Sequence, residues 1–278
     1  MFSGLCSLIP LTREQEHSRM ICSTVMEAVT WSRPAQELAL QQDELHVWLA
    51  WLDVEAQEIT RLQSYLSKDE VSRAERFIFP RDRDHFVVAR GRLRELLGKY
   101  LHCPPHAVQF KTARYGKLSL LDDGDQLRFN LSHSHGLALY GFCIGRELGI
   151  DMEKIRPQFV SEGIAERYFS PREQRELAEL PKELRDMGFF LCWTRKEAYI
   201  KAHGDGLQIP LDSFDVSLKP GEPETLRNAD SGRWSMRSFA PAAEFVAAIV
   251  AEGEIQATRF WSEAIDPFQT PTVATETE

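Results

Sequence analysis

Glu75-Arg76-Phe77-Ile78-Phe79-Pro80-Arg81 and Glu166-Arg167-Tyr168-Phe169-Ser170-Pro171-Arg172 are two versions of one heptapeptide. A charge-rich segment that opens on bulky apolar residues follows each of them. These segments are FVVARGRLRELLGK from Phe86 and FFLCWTRKEAYIKA from Phe189. In the first, Phe86, Val87, Leu93, Leu96, Leu97 and Leu101 recur at helical spacing. Short apolar runs that read as strands precede each copy. The likeness is weak and two amphipathic helices can share it by chance; read as a strand-and-helix unit written twice, it predicts an α+β fold, an α/β pseudo-dimer of two similar halves related by a pseudo-twofold axis. A ligand cleft is expected between the halves.

The remaining sequence extends this plan. A chain of 278 residues suits one body built from two halves. Strands are expected at Leu45–Leu52, Leu127–Ser132, Leu137–Cys143, Leu148–Met152, Phe214–Leu218, Trp234–Phe239, Phe245–Ala251 and Ile255–Trp261. Ser67 and Glu70 have capping-box spacing, as do Ser170 and Glu173, where Pro171 takes the first helical position. Helices are expected over Asp82–Leu101 and Gly188–His203, the second stopped by Gly204 and Gly206. Residues 41–147 form the first half and 148–265 the second. Residues 1–40 are read as an N-terminal extension, in part without fixed structure. Residues 266–278 are read as a disordered, Pro/Thr-rich tail.

Composition narrows the classes of partner. Charged residues make up 27% and hydrophobic ones 43%, as in ordinary globular chains. The 42 acidic residues outnumber the 33 basic ones, which excludes a generally basic, nucleic-acid-coating surface. No apolar run reaches the roughly 18 residues of a membrane helix. The N-terminus lacks the positive segment of a signal peptide. Five scattered cysteines without CxxC spacing argue against a disulfide framework and point to a reducing cytoplasm.

Four stretches carry chemistry. In Gly149-Ile150-Asp151-Met152-Glu153 the two carboxylates are two residues apart on a strand, so they share a face. Such a pair suits Mg²⁺, although it also describes a solvated strand edge. In Trp193-Thr194-Arg195-Lys196-Glu197-Ala198-Tyr199-Ile200-Lys201, Glu197 and Lys201 are one helical turn apart. They are either a surface ion pair or a base and a phosphate-stabilising cation. In Phe129-Asn130-Leu131-Ser132-His133-Ser134-His135, Ser132 and His133 are placed to meet a phosphate. The dense Arg76, Arg81, Arg83, Arg90, Arg92 and Arg94, with Arg114 and Lys117, form either a solvated helix face or a site for a small anion. Walker A, GxGxxG, HExxH and GxSxG patterns are absent.

Taken together, Asn130–Ser134, Leu148–Glu153 and Trp193–Lys201 resemble, in order and separation, the three motifs of the Sfp-like (surfactin-type) 4′-phosphopantetheinyl transferases, Trp-Lys-Glu-Ala subgroup. The resemblance runs from about Leu45 to Phe260. It implies transfer of the phosphopantetheine arm of coenzyme A to a serine hydroxyl of an apo acyl or peptidyl carrier protein, releasing adenosine 3′,5′-bisphosphate. It implies a monomer with coenzyme A between two halves. By resemblance Asp151, Glu153 and Glu197 are the ligands of Mg²⁺, or of Mn²⁺ in its place. Glu197, or a metal-held water, is the base, and Lys201 stabilises the leaving phosphate. Lys196 contacts the pyrophosphate. Arg94, Ser132 and His133 hold the nucleotide, particularly its 3′-phosphate. Lys117 approaches the adenylate end, in a "G-K-P" segment where this chain has Leu118 in place of Pro. The extension has no counterpart. The alternative is a Mg²⁺-dependent hydrolase cleaving the pyrophosphate of coenzyme A or a nucleotide.

Overall fold

The computed structural model describes residues 26–34, 38–113, 116–122, 126–156, 162–204, 209–227 and 230–262. Arg114, Gly206 and the tail from 266 lie outside them, as does most of the extension. The first half starts with strand β1 (Glu44–Trp51) and helices α1 (Ala56–Gln63), α2 (Lys68–Ala74) and α3 (Pro80–Leu101). The short strands β2 (Phe110–Thr112) and β3 (Leu118–Leu120) follow, then the hairpin β4 (Leu127–Ser134) and β5 (Leu137–Ile144). The second half has β6 (Leu148–Lys154), helices α4 (Glu162–Tyr168), α5 (Pro171–Glu179) and α6 (Lys182–His203), and strands β7 (Asp215–Val216) to β11 (Ala257–Ser262). Within that run β8 is Leu226–Arg227, β9 is Trp234–Phe239 and β10 is Phe245–Glu252.

The strands form two principal sheets, in the orders β11-β1-β5-β4 and β6-β10-β9. Each half therefore repeats one plan. A first strand leads through a 22-residue helix to a hairpin, and the last strand of that hairpin pairs antiparallel with the first strand. This repetition is consistent with a pseudo-dimer. Helix α3 packs on one sheet through Val88, Leu93, Phe129, Tyr140 and Phe142. Helix α6 packs on the other through Phe190, Cys192, Ala198, Val246 and Ala248. Between the sheets lies a third core of Leu45, Val47, Leu139, Leu148, Ile150 and Ile249. Strands covered on both faces lose simple alternation, and each large apolar side chain buried contributes about 1.5–3 kcal/mol.

Both capping boxes form. Ser67 accepts from Glu70 N, and Ser170 accepts from Glu173 N. Two helices start earlier than their apolar period suggests. Helix α3 starts at Pro80, a proline at the first helical position, and α6 starts at Lys182 after Pro181. Gly188 is thus inside a helix; a Cβ there would stand 2.4 Å from Leu180 Cδ1, so its smallness serves packing rather than helix entry. Of the extension, Trp31 donates to Pro241 O, Ser32 bridges to Trp261, and Ala28 bridges to Ala240. No helix among the described residues is long and apolar enough to cross a membrane.

Candidate active site

Strands β4 and β6 lie side by side without a backbone ladder. Side chains of β4 join them instead. Asn130 Oδ1 accepts from Ile150 N at 2.9 Å and Ser132 Oγ accepts from Met152 N at 3.3 Å. Two residues further, Ser134 Oγ donates to Glu153 Oε2 at 2.8 Å. The period-two set Asn130, Ser132, Ser134 therefore holds the strand that carries the carboxylates. Along this seam opens a cleft of about 560 Å³, walled by Phe86, Ala89 and Arg90 of α3 and by Trp193, Glu197, Ile200 and Lys201 of α6.

Gly149 brings α6 onto the seam. A Cβ at that position would lie 2.1 Å from Ala198 O and 2.3 Å from Ala202 N. Only glycine lets the helix backbone approach the strand so closely, and the approach sets Glu197 and Lys201 above Asp151 and Glu153.

At the floor, Asp151 is 4% exposed. Its Oδ1 accepts from Lys201 Nζ at 2.6 Å and from Ser132 Oγ at 2.9 Å. Its Oδ2 is buried with no hydrogen-bond partner. Burial, reinforced by Asp151, raises the pKa of Glu153. Burial also raises that of Glu197, where Asp151 and Glu153 outweigh part of the pull from Lys201. For Lys201 burial acts downward, but Asp151, Glu197 and Glu153 together hold its pKa above the ordinary lysine value. His133 faces the same cleft. Its desolvation, with the nearby Lys201, His85 and Arg90, lowers its pKa and keeps the ring neutral.

A divalent cation fits the chemistry of this donor set. Asp151 Oδ2 is an unsatisfied buried acceptor, and burial together with the crowding of like charge raises the pKa of two neighbouring carboxyls. Among the described residues, no three His, Cys, Asp or Glu side chains are gathered as a ready-made metal site. The cation against Asp151 in this arrangement is the Lys201 ammonium.

Asp151, Glu153, Glu197, Lys201, Ser132, His133 and Lys117 all line the cleft. Lys117 does so with its ammonium engaged by Glu147 Oε2 at 2.7 Å and by Ala202 O at 3.0 Å, the latter in the last turn of α6. Leu118, where the resemblance has Pro, opens β3 and pairs with Thr112. Two expected residues are placed elsewhere. Lys196 is fully buried, bridged to Glu173 Oε2 at 2.8 Å and donating to Leu211 O and Phe214 O, both at 2.6 Å. It cannot meet a pyrophosphate, because its position on α6 faces the core. Arg94 is 3% exposed, tied to Glu70 Oε2 at 2.7 Å and to Val108 O at 2.8 Å. Arg90, one turn earlier, lines the cleft instead; its Nε bridges Glu70 Oε1 at 3.4 Å, while its Nη1 lacks a hydrogen-bond partner. The sequence marks α3 as basic, but only packing tells which arginine is spent on structure.

The comparisons with known proteins bear on the family. Residues 147–250 match the family model described as the 4′-phosphopantetheinyl transferase superfamily. Residues 50–140 match the model of the N-terminal part of 4′-phosphopantetheinyl transferases. The chain is 41% identical over 234 residues to the 4′-phosphopantetheinyl transferase HetI of a Nostoc species, covering 84% of this chain and 98% of the relative. It is 31% identical over 175 residues to the 4′-phosphopantetheinyl transferase Sfp of Bacillus subtilis, covering 63% and 76%. A solved holo-(acyl-carrier-protein) synthase of Bacillus anthracis, in complex with CoA (3′,5′-ADP), matches 38% of this chain and 94% of its own. Its identity is 21% and its TM-score 0.31, too loose a likeness to carry an argument. Similarity to HetI over 84% of this chain, with both halves matched in order, shows that this chain belongs to the 4′-phosphopantetheinyl transferase superfamily and is a transferase of that kind.

Proposed function

We propose that the protein moves the 4′-phosphopantetheine arm of coenzyme A onto a serine hydroxyl of an apo acyl or peptidyl carrier protein. The observation that carries this is the Asp151–Lys201 pair on the floor of the seam, facing Glu153 and Glu197. The serine oxygen attacks the phosphorus that bears the pantetheine arm. The bond to the bridging pyrophosphate oxygen breaks, and adenosine 3′,5′-bisphosphate leaves. Mg²⁺, or Mn²⁺, held by Asp151, Glu153 and Glu197, would neutralise charge on the pyrophosphate.

The chain's own groups have separate tasks. Glu197, with its raised pKa, is suited to take the serine proton. Lys201 stays protonated and is 29% exposed to the cleft, where it stabilises charge on the leaving phosphate. Ser132 fixes Asp151 rather than serving the nucleotide alone. Neutral His133 and the guanidinium of Arg90, in the role expected of Arg94, meet the nucleotide's remaining phosphate. Lys117 anchors the neighbouring loop. Residues 41–147 and 148–265 act as the two halves of one site. The free thiols of Cys103, Cys143 and Cys192 support a cytoplasmic setting, and a monomer suffices because both walls come from one chain.

The test is the intact mass of an apo carrier protein after incubation with this protein, coenzyme A and Mg²⁺, with an EDTA control. A metal-dependent gain equal to phosphopantetheine is expected. Cleavage of coenzyme A with no gain on a panel of acyl and peptidyl carriers would establish the hydrolase instead.

A further inference from the structure

The loop between α2 and α3 leaves three consecutive large apolar side chains in water. Phe77 is 38% exposed, Ile78 87% and Phe79 65%. Among the described residues the other large apolar side chain exposed to this degree is Leu121, beside a separate cavity. Pro80 at the first position of α3 and the β-region backbone of Phe79 set the loop's exit into the helix. The loop also touches the reaction cleft. The Phe77 ring lies 5.5 Å from that of Phe86, and Phe86 forms part of the cleft wall.

Charge around this knuckle is unusual for the molecule. Arg61 and Arg92 are matched by Glu58 and Glu95, Arg81 by Asp53, and Arg83 by Asp84. Arg73 and Arg76 are exposed and differ. Arg73 stacks over Phe86 at 5.3 Å, and Arg76 gives its Nε to Ser72 O. The knuckle thus offers apolar surface beside Arg76, whose described contact is a backbone carbonyl, while Arg73 lines the cleft.

We propose that Phe77, Ile78 and Phe79, with Arg76, are the anchor on which the carrier protein docks, and that they take an apolar patch flanked by acidic side chains. This rests on the transfer reading above. A folded protein cannot enter a cleft of about 560 Å³. Only its serine does, so its body must lie on the rim, and this exposed apolar loop is continuous with the cleft wall through Phe77 and Phe86. Complexes commonly bury about 800 Å² on each partner, so further contacts surround the anchor, but a few apolar and arginine side chains carry most of the affinity.

The experiment pairs carrier loading with coenzyme A binding, using the full chain and its I78S/F79S double variant. Phe77 is kept because it packs on Phe86. The expected result is a KM for the carrier raised about tenfold or more, with the rate at saturating carrier and the calorimetric Kd for coenzyme A unchanged. Arg76→Glu should raise the same KM and weaken its salt dependence. An unchanged KM in both variants, with the wild-type chain loading the carrier normally, would overturn the docking site alone. Concentration-dependent association of the wild type, abolished in I78S/F79S, would show a self-association face and overturn it too. A wild-type chain that loads no carrier would defeat the transfer reading, and the docking site with it.

Discussion

Lys196 and Lys201 stand five residues apart on one helix, and each is paired with a carboxylate. The Lys196–Glu173 pair is sealed, with both side chains at 0% exposure. Lys201 reaches Asp151 at the floor of an open cleft and is 29% exposed. Five residues turn a helix by about 140° beyond one full revolution, which is enough to take one lysine into the core and the other to the seam. Glu173 spends its oxygens on Lys196, Ser170 N and Val216 N, so both oxygens have partners, although burial still raises its pKa. Asp151 keeps Oδ2 unanswered. A satisfied buried pair holds a fold; a partly satisfied one at a cleft retains something for a ligand to complete.

The comparison breaks most visibly if Lys196 is removed. Lys196→Met leaves the Glu173 carboxylate buried without its cation, and stability should fall by about 3–5 kcal/mol in denaturant unfolding. The activity of the remaining folded molecules should stay near wild type. A loss of rate at unchanged stability would move Lys196 into the reaction. Lys201→Ala should behave in the opposite way, lowering the turnover rate about 10²–10³-fold with little change in melting temperature. Rapid transfer by this variant would reduce the Asp151–Lys201 pair to structure.

The same contrast sharpens on α3. Arg90→Leu should raise the KM for coenzyme A roughly 10- to 100-fold, the worth of one charged hydrogen bond. Arg94→Leu should instead lower the melting temperature, because Val108 O loses its partner and Glu70 keeps only Arg90 of its two arginines. If the two variants exchanged effects, the assignment of Arg90 to the ligand would fail.

The smallest effect concerns pH. The folded-state pKa of Glu197 is raised, so the folded chain keeps a proton that the unfolded chain has lost. Stability from this group therefore declines as pH rises from the ordinary glutamate range through the raised value. Glu197→Gln removes that decline. Without metal, its melting-temperature advantage over wild type should grow across this window and level off above it. A difference that does not vary with pH, or that shrinks as pH rises, would contradict the raised pKa.

Much of this was legible in the sequence because it rests on local spacing. Two residues separate Asp151 from Glu153, four separate Glu197 from Lys201, and the heptapeptide recurs before each long helix. What escaped depends on distant contacts. Helix α1 and the two strands β2 and β3 were not expected, since α1 is short and the strands are three residues each. The strand expected over Phe214–Leu218 contracts to Asp215–Val216. Identical residue types on one helix, Arg90 and Arg94 or Lys196 and Lys201, divide between cleft and core according to which element faces them. The role of Asn130 and Ser134 beside Ser132 had a visible signal in their alternation, but their partner strand did not.

On the proposed mechanism the phosphopantetheinyl group changes hands at the β4–β6 seam, with Asp151 at its floor. The most direct measurement is the single-turnover rate of carrier loading by Asp151→Asn, followed by intact mass, beside its melting curve. The expected result is a folded protein whose loading rate is at least about 10²-fold below wild type. A wild-type rate in that variant would place the reaction elsewhere.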